Sequence, residues 1–146
     1  MSTEPAMANE IARHCEIIEA SYEFTLSYAA RGLSSGEESD AGKHIRYHLT
    51  RAAEAMAGLK PSCAAAIEAE QLAPRAKYEA FFAVMARDAQ SAIAAIELVL
   101  AQPVISSQLI DNLNANIHFR ALLTDLFLVT EILELRASQS KAMAGS

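Results

Sequence analysis

Apolar residues return every three or four positions along almost the whole chain, the signature of helices that each bury one side. The pattern is plainest after Pro74. There Tyr78, Phe81, Phe82, Met85, Ala89, Ala92, Ile93, Ile96, Val99 and Leu100 share one side of a helical wheel, with Glu79, Arg87, Gln90, Ser91 and Glu97 opposite. An earlier stretch repeats the pattern with Ile45, Leu49, Ala52, Met56 and Leu59, leaving His48 at the edge of the stripe and His44 further out. Alanine is abundant, β-branched residues are sparse, and no run alternates with the period of a strand.

Glycine, proline and serine mark where these segments stop. A first helix is predicted from near Pro5, capped by Ser2 or Thr3, to Gly32, and is followed by the polar loop "LSSGEESDAG". A second runs from about Asp40 to Leu59 and closes at "LKPS". The short apolar piece "SCAAAIEAEQL" comes next, and Pro74 either ends it or kinks it into the following helix, because proline lacks the amide donor and clashes with the preceding turn. A third helix extends to about Gln102. A last one, capped by Ser106 or Ser107, reaches about Arg136, leaving residues 137–146 as a disordered tail. The fold class expected for residues 1–146 is all-α, a single-domain antiparallel four-helix bundle with a short additional helix.

Two of the helices are not simply two-sided. The first carries a wide apolar face that includes Ile11, Cys15, Ile18, Tyr22, Leu26 and Tyr28, yet Glu10, His14, Ser21 and Thr25 lie within it. In the last, "NANIHFRALLTDLFLVTEIL" is apolar almost all round. Its natural solvent side holds Asn116, Arg120, Thr124, Glu131 and Glu134, while Asn114, His118 and Asp125 stand on the opposite side among leucines and isoleucines. His118 and Asp125 are seven residues apart, about 10 Å along a helix, so each needs partners from elsewhere. The expectation is that Asn114, His118 and Asp125 meet Glu10, His14, Ser21 and Thr25 across an apolar layer, within one chain or across a dimer interface.

Composition limits the partners. With 52% hydrophobic residues, 146 residues suffice for one true core. The 12 basic and 18 acidic residues leave a net charge of −6, which disfavours nucleic acid and anionic membrane. The start "MSTEPAMANEIARH" has no basic segment leading into an apolar core, and the most apolar run, Ala121 to Val129, is too short to span a bilayer. Cys15 and Cys63 lack the spacing of a zinc site or disulfide scaffold and read as small core residues. A cytoplasmic location is expected.

Candidate chemistry is thin. Glu10 with His14, and His44 with His48, sit four apart and so share a helix face, a spacing that offers a metal two ligands but occurs often by chance. A metal ion or haem held by Glu10, His14, His118 and Asp125 requires all of them to converge; hydrogen-bonded interior groups explain the same clustering without a cofactor. There is no phosphate-binding glycine loop, zinc-protease motif or nucleophile elbow. The acidic "GEESD" reads as a solvated loop. The expected function is non-enzymatic: a helical interaction or regulatory protein acting through protein–protein contacts as a homodimer. The alternative is a bundle that binds a metal, haem or small ligand through its polar seams.

Overall fold

The computed structural model describes residues 4–31 and 40–145, with side chains from 9 to 31 and from 42 to 145. The expected caps at Ser2 and Thr3, the stop at Gly32 and most of the "GEESD" loop lie outside the described residues. Five helices account for nearly all of the rest: α1 (Glu4–Ala30), α2 (Asp40–Glu70), α3 (Arg75–Leu100), α4 (Ser107–Ala115) and α5 (Ile117–Ala144). No strand occurs among the described residues.

α1 packs on α2, α2 on α3, α3 on α5, and α5 back on α1, closing a ring of four. Cross-helix contacts give the directions. His14 meets Ser62 at one end of the α1–α2 pair, and Phe24 stacks on His48 at the other, with ring centroids 4.1 Å apart. Tyr22 meets Phe119 at 5.0 Å near the Phe24 end of α1, while Arg136 reaches Glu70 beyond the Ser62 end of α2, so α5 runs antiparallel to α1, with α4 stacked above it beside Tyr28. The apolar stripes read from the sequence face this ring: Ile11, Ile18, Ile45, Leu49, Ile96, Leu122 and Leu126 are wholly buried. Each such side chain contributes about 1.5–3 kcal/mol.

The structure differs from the sequence expectation in four places. First, α2 does not close at "LKPS" but continues through Pro61 to Glu70, absorbing the segment expected as a separate piece. Proline there deletes the amide that would bond the Ala57 carbonyl. Ala57 and Pro61 are both exposed, so water can serve that carbonyl, while Leu59, Cys63, Ala66 and Ile67 stay in the core on either side. Burial on both flanks outweighs one lost hydrogen bond. The short additional helix is instead α4.

Second, the last helix is two helices. Asn116 adopts an extended conformation, its amide bonds the Asn112 and Leu113 carbonyls of α4, and its side-chain Oδ1 accepts the His118 amide at 3.1 Å. A side chain that caps one helix while ending another competes directly with continuous helix. Third, α5 runs on to Ala144 rather than ending near Arg136. Extending an existing helix through alanine-rich sequence needs no new nucleus, and Lys141 in the last turn suits the helix dipole. Fourth, Leu26, expected on the apolar face of α1, is exposed.

Helix ends are completed by neighbours. α2 ends in a left-handed turn at Gln71 (φ 50°), with the Leu72 amide bonding the Ile67 carbonyl at 3.3 Å and Leu72 buried. Neither α2 nor α3 has a basic residue in its last turn, and in each case an arginine from another helix serves the open carbonyls. Arg46 of α2 donates to Leu100, Gln102 and Pro103 at 3.0, 2.8 and 3.2 Å, and Arg136 of α5 donates to the carbonyl and carboxylate of Glu70.

Candidate functional site: separated polar seams and an exposed apolar face

The polar residues of α1 and α5 do not meet as one layer. Their one hydrogen bond between seams is at the top of the bundle, where Asn114 Nδ2 donates to the Thr25 carbonyl at 3.2 Å. Thr25 is wholly buried and its hydroxyl donates to the Tyr22 carbonyl at 2.6 Å; Ser21 is buried one turn earlier. Asn114 Oδ1 is buried with no hydrogen-bond partner. Capping at Asn116 explains why Asn114 faces α1: it belongs to α4, not to the helix that carries His118 and Asp125.

His14 turns toward α2. Its Nε2 lies 3.2 Å from Ser62 Oγ and 3.9 Å from Glu10 Oε2, and Glu10 also pairs with Arg13 at 3.3 Å. The ring rests against Gly58: a Cβ at position 58 would stand 2.8 Å from His14 Cε1. Burial lowers the pKa of His14, opposed by the charge of Glu10 and assisted by that of Arg13. Ser62 and Glu10 approach the same ring nitrogen, so His14 cannot relay a proton from Ser62 to Glu10 through its two nitrogens. Nδ1 is buried without a partner.

Asp125 turns the other way, toward α3, where its carboxyl hydrogen-bonds that of Asp88. Two carboxyl groups can share a hydrogen bond only if one carries a proton. Burial, then the hydrogen bond and charge of Asp88, push Asp125 up to about 7. Its Oδ2 is enclosed and meets no amide, hydroxyl or cationic donor. His118 is half-buried at the first turn of α5, held through its own amide by Asn116.

Glu10, His14, His118 and Asp125 are thus divided between the α1–α2 and α3–α5 sides of the ring. No group of three or more His, Cys, Asp or Glu side chains among the described residues could hold a metal ion. His44 and His48 engage Phe24, edge-on and stacked, instead of facing a shared ligand position. Cys15 and Cys63 are buried free thiols, pushed by burial to about 11 and about 12, which keeps them protonated.

Sequence reasoning passed over Asp88, Gly58 and Ser62. Asp88 had a signal: it follows Phe81 by seven residues, which places it about 20° around the helix from an apolar-face residue. Gly58 and Ser62 had none, because their roles depend on which helix lies opposite.

One unpartnered feature is apolar. Along α5, Ile117, Leu128, Ile132 and Leu135 are 64%, 51%, 38% and 53% exposed. Beside them, Tyr78, Phe81 and Phe82 of α3 join Leu128, Val129 and Ile132 around a groove of about 270 Å³, with Lys77 at its rim. No helix of the described chain is long and apolar enough to cross a membrane. No protein-family model matches the chain, and neither does any curated protein or solved structure, so its fold and surfaces are what a functional reading rests on.

Proposed function

We propose that this chain is a non-enzymatic helical interaction protein that associates with a second copy of itself through the seam between α3 and α5. The observation that carries the reading is the exposed apolar strip of α5 beside the groove. Ala121, Leu128 and Leu135 repeat every seven residues, as do His118, Asp125 and Ile132, so the strip keeps to one line that a partner helix can follow. A twofold contact would set α5 against α5 and cover both strips at once. Two chains of −6 repel, so contact between copies has to be driven by apolar burial, and the strip offers Ile117, Leu128, Ile132 and Leu135 for it.

The competing reading, a metal, haem or small ligand held by Glu10, His14, His118 and Asp125, has no common site to act through. Light scattering on the full chain at micromolar concentration tests the proposal. The expected mass is twice the 15.7 kDa of the chain. Leu128→Glu should return it to the monomer while leaving the helical circular dichroism unchanged, since Leu128 is half-exposed in the monomer. A wild-type monomer would overturn the reading.

A further inference from the structure

Asp88 and Asp125 sit within the seam, not beside it. Asp88 lies six residues beyond Phe82 and Asp125 three before Leu128, about 9 Å and about 5 Å along their helices from these lining residues, and each is about 20° around from a groove residue seven positions away, Phe81 or Ile132. The helices are antiparallel, which puts both aspartates at the same end of the groove. Their carboxyls hydrogen-bond across the helix interface, and one oxygen of Asp125 is enclosed with no other donor.

We propose that the Asp88–Asp125 pair is a proton-operated control on self-association through the α3–α5 seam, strengthening the dimer while the pair holds its proton and weakening it when both acids ionise. This rests on the reading of the seam as the contact between two copies. With one proton the pair carries a single negative charge, spread over two carboxyls joined by a hydrogen bond. Without it, two facing carboxylates repel, α3 and α5 lose that tie, and a twofold contact brings four carboxylates into one apolar interface. Like charges buried opposite each other oppose association strongly.

Among the described residues no neighbouring cation offsets the change. Arg87 on α3 and Arg120 on α5 are exposed. His118 lies two turns from Asp125 along α5. From α1, Glu10, Arg13 and His14 are engaged with one another and with Ser62 on the α2 side, and Cys15 stays a thiol. Lys60 of α2 lies by the α2–α3 groove with Ala86, and Asp111 of α4 is exposed. The influences on Asp125 are burial and Asp88, and they place its loss of a proton at about 7.

Sedimentation velocity of the full chain at pH 5.5 and 8.5, at fixed ionic strength, tests the proposal. The dimer Kd of the wild type should rise by about tenfold at the higher pH. Asp125→Asn donates a hydrogen bond to Asp88 at every pH and holds the charge of the pair at the one-proton value, so its Kd should change less than about threefold. Every other side chain is the same in both proteins, so the difference between wild type and variant isolates the pair. Asp88→Asn provides the same comparison from the other helix if Asp125→Asn folds poorly. A wild-type Kd that is flat with pH, or an asparagine variant that shifts as far as the wild type, overturns the control and leaves the dimer standing. A monomer at both pH values overturns the dimer and the control together.

Discussion

His14 on α1 lies directly against the backbone of Gly58 on α2, so that a methyl group at position 58 would come within 2.8 Å of its Cε1 and 2.9 Å of its Nε2. Helix propensity alone favours alanine over glycine inside α2 by about 1 kcal/mol. Contact decides the opposite sign. The His14 ring is held at Nε2 by Ser62, with Glu10 3.9 Å from the same nitrogen, so moving aside breaks the bond to Ser62. Gly58→Ala is therefore expected to destabilise by about 1–3 kcal/mol. In a His14→Ala background the same change should stabilise, and urea unfolding of the four chains reads the coupling. Independent, additive effects would defeat the argument.

Arg46 is expected to matter more than an ordinary surface arginine. It serves three carbonyls where α3 ends and turns toward α4, with no basic residue of α3 in place to do so. Arg46→Ala should cost about 2 kcal/mol and lower Tm by roughly 4–8 °C, with Arg46→Lys recovering part of the loss. Equal losses from both substitutions would show that the forked geometry of the guanidinium is irrelevant.

Gln71 holds a left-handed backbone at the end of α2 (φ 50°), a conformation glycine adopts without strain. Gln71→Gly is expected to raise stability by about 0.5 kcal/mol, the relief exceeding both the added freedom of the unfolded chain and the loss of the Gln71 side-chain bond to the Glu68 carbonyl. Thermal unfolding with a lower Tm would reject this.

The pH dependence of stability has two opposing parts. Asp125 holds its proton more tightly folded, to about 7, than unfolded, where an aspartate titrates near 4. Its contribution is fully present below about 4 and is lost as pH rises through about 7. His14, lowered by burial, behaves oppositely: its contribution is present above its unfolded value of 6.5 and is lost as pH falls through the folded one. Urea midpoints measured from pH 5 to 8 should fall for the wild type relative to Asp125→Asn. Against His14→Gln, the wild type should lose ground at the acid end. Parallel curves for wild type and Asp125→Asn would remove the shared proton from the account.

The repeat of Ile45, Leu49, Ala52, Met56 and Leu59, and that of Phe82, Met85, Ala89, Ala92 and Ile96, sufficed to determine helices and their inward faces, because burial of a stripe is dictated by spacing along one chain segment. Ser106 as a cap and Pro74 as a boundary were legible for the same local reason. Pro61 misled, since its local cost is outweighed by core residues on both sides whose burial depends on α1 and α3. Asn116 misled in the opposite sense: apolar residues on every side suggested one unbroken helix, and the capping bonds that divide it become worthwhile only when α4 can lie against Tyr28 and Thr25. The second polar side of that segment was visible as a pattern, but its partners were not. Asn114 went to α1, Asp125 to Asp88 and His14 to the notch at Gly58, because a helical wheel fixes the direction a side chain leaves its own axis, and only the packing of the ring decides which neighbour stands there.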